Sequence, residues 1–269
     1  MQTLQYRYLE AFVDDLRAKG KYSFTVSDLR HKYNLSDEAL KKALQRLISK
    51  GEAAKVRQEF YVIVPPEYRS KGMLPTSFFI ADLMKFLGKD YYVGLSTAAA
   101  FYGAAHQQPQ EFYVITTKPT LRPINTGKLS ISFFFKKEWH TADVKEHKVE
   151  TGYINISSPE LTALDLITYF DRVGGLNRVA TVLDELAEGM NNTTLAEAAR
   201  GYGNTATLQR LGYLLEILEK HSLAETLAEV LKGIKHFPVL LRPQKGERST
   251  MVTGNTWKVA ANTKIEADL

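Results

Sequence analysis

The residues best suited to chemistry are Lys41, Lys42, Gln45, Arg46 and Ser49, then Lys55, Arg57 and Gln58, all inside SDEALKKALQRLISKGEAAKVRQEFYVIVPP, Ser36 to Pro66. Lys42, Gln45, Arg46 and Ser49 stand at i, i+3, i+4 and i+7, so a helix places them on one face. Arginine and glutamine form paired hydrogen bonds with guanine and adenine edges. Lys55, Arg57 and Gln58 carry the charge and amide donors that anchor phosphates. The chemistry this set suits is readout of double-stranded DNA. A plain solvated helix face has the same composition, so the elements that carry the residues decide between the two.

Those elements are legible in order. Residues 5–19 read as a helix with apolar positions at Tyr8, Leu9, Phe12, Val13 and Leu16, closed by Gly20. Thr25, with Asp28 three residues on, opens a second helix as a capping-box variant. Ser36 caps a third, with Asp37 and Glu38 where the helix dipole favours negative charge. Its buried stripe is Leu40, Ala43, Leu44, Leu47 and Ile48, and Gly51 stops it. AAKV, a turn around Arg57 and Gln58, and FYVIV predict a β-hairpin, which Pro65–Pro66 ends. Helix, helix, turn, helix, strand, strand is the order of a winged helix-turn-helix, expected over residues 1–70.

Beyond a Pro- and Gly-bearing linker at 65–76 the pattern changes, and residues 71–269 are expected to form a larger domain of mixed α and β elements with a small sheet and a helical bundle. The fold class is therefore α+β. TSFFIADLMKFLG and GLSTAAAFYGAAH read as helices; EFYVITTK, KLSISFFFKK and KVETGYINIS read as strands. Ser158 and Pro159 open a further helix, and others are expected near 176–188, 193–200, 204–220 and 223–233. FPVLLRP and TWKVAANTKIEADL are expected to return strands to the sheet.

Other chemistries find less support. The chain has no cysteine, which excludes disulfides, thiolate metal sites and thiol nucleophiles. GYGNTA, Gly201 to Ala206, matches a dinucleotide-binding spacing but follows a helical segment where a strand is required, and reads as a helix–helix turn. Neither a P-loop nor a G-x-S-x-G elbow is present. The six histidines are scattered. Asp143, Glu146 and Lys148 lie close in sequence, as in a metal-dependent nuclease, though such clusters are common on charged strands. No catalytic, cofactor-binding or metal-ligating residue is assigned, and the chain is not expected to be an enzyme. No apolar run approaches the ~20 residues of a membrane span, and no signal peptide is read at the N-terminus, so a cytoplasmic protein is expected. The net charge is +5, with residues 151–235 acidic and the flanking stretches basic.

The segments LAEAARGYGN, LQRLGYLLEILE and SSPELTALDLITYFDRVGGLNRVATVLDELAE, with the ending NTWKVAANTKIEADL, resemble the C-terminal domain of AbiEi antitoxins of type IV abortive-infection toxin–antitoxin systems. The resemblance covers most of the chain from about Leu74. It implies an antitoxin in phage defence whose winged helix represses its own operon at promoter inverted repeats. It also implies a cognate nucleotidyltransferase-like toxin as functional partner, without a stable complex. It assigns no antitoxic residue; Arg210 is open between a functional role and a conventional one, bridging helices or capping carbonyls. Two alternatives remain: a winged-helix regulator with a ligand-sensing C-terminal domain, and a DNA-processing enzyme using Asp143, Glu146 and Lys148.

Overall fold

Short polar caps set the first elements. The computed structural model describes residues 2–105, 110–243 and 254–266, with side chains from residue 8 onward. Helix α1 (Gln2–Ala18) leads to a short strand, β1 (Ser23–Thr25), and then to α2 (Val26–Lys32). Thr25 and Asp28 form the reciprocal capping box at the start of α2. Ser36 caps α3 (Asp37–Ser49) by accepting from the Ala39 N–H. Strands β2 (Ala53–Arg57) and β3 (Phe60–Ile63) follow, and β3 lies between β1 and β2 in an antiparallel sheet.

β1 escaped the sequence reading because three residues show no resolvable alternation. The hairpin turn falls on Gln58 and Glu59 rather than on Arg57 and Gln58, with Glu59 at φ 62°. Two of the apolar positions also differ. Tyr8 is 50% exposed and Ile48 40% exposed, whereas Leu9, Phe12, Val13, Leu40, Ala43, Leu44 and Leu47 are buried. Ile48 sits one residue beyond Leu47, about 100° round the helix, and so leaves the stripe.

Next come α4 (Ile80–Phe86), β4 (Tyr91–Val93), α5 (Leu95–Phe101), β5 (Phe112–Thr116), β6 (Ile124–Asn125), β7 (Ser130–Phe135), β8 (Val144–Val149) and β9 (Gly152–Ser157). β4–β9 form a six-stranded sheet in the order β6–β7–β5–β4–β9–β8. KVETGYINIS is two strands, not one, because Glu150 and Thr151 turn the chain and Gly152 opens β9 at positive φ. The remaining helices are α6 (Pro159–Thr168), α7 (Gly175–Leu186), α8 (Asn192–Tyr202), α9 (Thr205–Ile217) and α10 (His221–Lys232). The terminal segments do not return to the six-stranded sheet. β10 (Val239–Leu240) and β11 (Val259–Ala260) pair with each other, in parallel, as a separate two-stranded sheet.

The chain divides into two compact units, one of residues Met1–Tyr91, Thr116–Phe135 and Glu146–Asn155, the other of Tyr92–Ile115, Lys136–Lys145 and Ile156–Leu269. The core of the first joins α1, α2, α3 and the small sheet through Leu9, Phe12, Phe24, Leu29, Leu44, Leu47 and Ile63. Phe12 meets Phe24 edge-on at 5.6 Å. Residues 76–91 join this unit by aromatic contacts: Phe86 lies 5.4 Å from Phe60, and Phe78 meets both Tyr22 and Tyr68.

The second unit is built around α6. Every residue from Pro159 to Ile167 is buried, and the helix packs against α5, α7, α8 and α9. A helix covered all round must be apolar or must satisfy its polar side chains internally. Ser158 and Pro159 start it as the sequence predicts. GYGNTA is the turn between α8 and α9: Gly203 takes φ 71° after α8 and Asn204 caps α9.

Candidate nucleic-acid interface and a buried polar cluster

The outward face of α3 presents Lys41, Lys42, Gln45, Arg46 and Ser49, all exposed. Two of them are engaged within the helix. The Lys42 ammonium pairs with Glu38 at 2.7 Å, and the Ser49 hydroxyl donates to the Gln45 carbonyl at 2.7 Å. Lys42 can exchange an exposed ion pair of little net worth for a phosphate or base contact. Ser49 offers only its oxygen lone pairs while that bond lasts. Gln45 and Arg46 form the centre of the face. Ile48, which the sequence reading buried, is on the exposed side, where an apolar group suits a thymine methyl.

On the hairpin, which packs on α3 through β2, Lys55 and Gln58 are exposed and Arg57 half-buried. The ladder shifts register between Lys55 and Arg57. An irregularity of this kind twists a hairpin and re-aims its side chains.

A polar cluster that the sequence reading did not find lies inside the second unit. Asp165 on α6 is fully buried, and its carboxylate accepts three hydrogen bonds. Oδ1 accepts from the Lys136 ammonium at 2.9 Å and the Tyr202 hydroxyl at 2.8 Å; Oδ2 accepts from the Tyr92 hydroxyl at 2.6 Å. Lys136, whose side chain is 15% exposed, also lies 4.1 Å from the centre of the Tyr202 ring. Trp139 covers Tyr92 edge-on at 5.0 Å. Burial, and then the Asp165 charge, push the Tyr92 and Tyr202 phenols well above their ordinary range. The cluster ties Tyr92 in the middle of β4, Lys136, helix α6 and the last residue of α8 to a single carboxylate.

Helix α6 holds α8 a second time. The Glu160 carboxylate accepts from the Asn191 backbone N–H at 2.9 Å, and the Asn191 side chain caps α8. The available signal was a carboxylate, Asp165, between the apolar residues Ala163, Leu164, Leu166 and Ile167, which demands a buried partner.

The other sequence candidates are placed individually. Arg210 is half-buried and donates from Nε to the Leu240 carbonyl at 3.0 Å, a structural role beside β10. Asp143 is buried, and burial chiefly raises its pKa, against the pull of His140 and Lys136. Glu146 and Lys148 are exposed on β8. Among the described residues, no group of three His, Asp or Glu side chains is placed to hold a metal ion. No described helix is long and apolar enough to cross a membrane.

Residues 92–217 match the AbiEi antitoxin C-terminal domain family. That span contains Tyr92, Lys136, Asp165 and Tyr202, the whole of the buried cluster. A crystal structure of the RV2827C protein from Mycobacterium tuberculosis is similar in fold, with a TM-score of 0.66 and 16% identity, over 92% of this chain and 89% of that one. No curated protein matches the chain in sequence.

Proposed function

We propose that the chain, whose residues 92–217 match the AbiEi antitoxin C-terminal domain family, acts as the antitoxin of a toxin–antitoxin system and is also the repressor of its own operon. Repression belongs to residues 1–70, which act as a winged helix-turn-helix on promoter inverted repeats, and antitoxicity to residues 71–269. The toxin it counteracts is a nucleotidyltransferase-like protein, and phage defence by abortive infection is the setting this pairing serves. The observation that carries the DNA reading is the exposed face of α3, with Gln45 and Arg46 at its centre, on a capped helix–turn–helix followed by a hairpin. The face is basic and amide-bearing, which suits base edges; a protein-docking face is richer in apolar and aromatic side chains. In this reading α3 enters the major groove, and Lys55, Arg57 and Gln58 hold phosphates from the hairpin.

The test separates readout from anchoring. Arg46→Ala or Gln45→Ala is expected to reduce the preference for operator over unrelated duplex by about 1–3 kcal/mol each. Lys55→Ala and Arg57→Ala are expected to weaken binding to both duplexes alike. Binding isotherms on the two duplexes, at several salt concentrations, measure both effects. Identical behaviour of the helix and hairpin variants would refute the division of roles.

A further inference from the structure

The two compact units differ in charge. The first carries 20 Lys and Arg against 13 Asp and Glu, a net +7; the second carries 15 against 17, a net −2. Part of the first unit's excess lies outside α3 and the hairpin. Its segment Thr116–Phe135 contains Lys118, Arg122 and Lys128 and no acidic residue.

The geometry brings some of this charge close to the chain that leaves the hairpin. After β3, a 3₁₀ turn at Pro66–Tyr68 leads to Gly72, whose N–H bonds the Tyr68 carbonyl at 2.9 Å. Lys128, from the turn between β6 and β7, lies directly on Gly72: a Cβ there would come within 2.2 Å of its Nζ. The Lys128 ammonium therefore rests on bare backbone next to Lys71. Lys71, Arg122 and Lys128 are all exposed, and no ion pair engages them among the described residues. Arg69, just before them, is 3.8 Å from Glu52, a weak exposed pair, and Glu67 is the other acid of this turn.

β6 is one of the two edge strands of its sheet, and charge on an edge discourages pairing with other chains. Either sign of charge serves that purpose, so edge protection does not account for an all-cationic segment. Like charges gathered without counterions raise the local potential and favour a polyanion.

We propose that Lys71, Arg122 and Lys128 form a second phosphate-binding strip, which holds the backbone of the same DNA duplex outside the reach of α3 and the hairpin. This rests on the DNA-binding reading above and enlarges its footprint. The strip carries no sequence information, because phosphates are the same at every step. It supplies affinity and salt dependence.

The test uses the full chain and a duplex bearing the promoter of its own gene, with binding measured by fluorescence anisotropy across a salt series. If each residue neutralises one phosphate, Lys71→Gln/Arg122→Gln/Lys128→Gln lowers the log–log salt slope by about 2.7, and the affinity lost between about 50 and 200 mM salt shrinks by about 40-fold relative to wild type. Operator preference should not change. Lys71→Arg/Lys128→Arg should keep the wild-type slope. An unchanged slope in the glutamine variant overturns the strip while leaving the helix reading intact. Equal loss of binding in the glutamine and arginine variants, with altered near-ultraviolet circular dichroism, also overturns it, because the residues would then act through folding. A wild-type chain that does not bind the duplex refutes the DNA reading and the strip together.

Discussion

Lys136→Met should destabilise the second unit by about 3–5 kcal/mol, measured by urea denaturation at neutral pH. The change leaves the Asp165 carboxylate fully buried with two phenol donors but no opposite charge. A buried charge stripped of its partner costs more than the pair itself ever contributes. The control is Lys136→Met/Asp165→Leu, which removes both charges and should recover a large part of the loss. Tyr92→Phe and Tyr202→Phe should each cost about 1.5–3 kcal/mol, the worth of a hydrogen bond to a charged group.

The same cluster predicts a response to alkali. The Tyr92 and Tyr202 phenols are raised above their ordinary value of 10.0 in the folded chain, first by burial and then by Asp165. The folded state thus holds these protons more tightly than the unfolded state does. Stability from this source is complete below about pH 10 and is lost as pH rises further, through the range where the unfolded phenols ionise. The urea midpoint of wild type should fall more steeply above about pH 10 than that of Tyr202→Phe. Parallel curves would show that the phenols are not so placed.

The N-terminal elements were legible because their signals are local. Thr25 with Asp28, Ser36 with the acids after it, and Gly51 each mark a boundary by a bond or a backbone angle within four residues. Ser158–Pro159 and Gly203–Asn204 work in the same way. The misses concern long-range partners. β1 exists because Ser23–Thr25 finds β3, almost forty residues later, and nothing in SFT announces it. The terminal strands were expected in the main sheet, yet among the described residues Val239–Leu240 and Val259–Ala260 pair with each other.

The candidate site divides along the same line. The face of α3 is a matter of helical spacing, so the sequence shows it. The Lys136–Asp165 pair joins residues 29 apart, and the phenols that complete it lie 73 and 37 residues from Asp165. Only tertiary structure brings them together. Lys128 on Gly72 is likewise invisible in sequence, since its chemistry is one of position and not of residue type.

Arg46→Ala/Arg57→Ala should abolish repression while leaving rescue from the toxin intact. Both substituted side chains belong to α3 and the hairpin, whereas the span that matches the antitoxin domain starts at residue 92. Neither is in the buried core of the first unit, so the variant should fold. Substitution within the whole chain is a cleaner experiment than a fragment starting near Met73. Such a fragment would keep Phe78 and Phe86 but lose Tyr22, Tyr68 and Phe60, against which they pack, and would bare their rings to water. Repression is read from a reporter under the native promoter. Rescue is read with both proteins expressed from foreign promoters, so that lost repression cannot imitate lost antitoxicity. Failure to repress together with full rescue is the expected outcome. A variant that is folded by circular dichroism yet fails to rescue would place part of the antitoxic surface on α3 or the hairpin, and DNA readout and toxin neutralisation would then compete for one face of the protein.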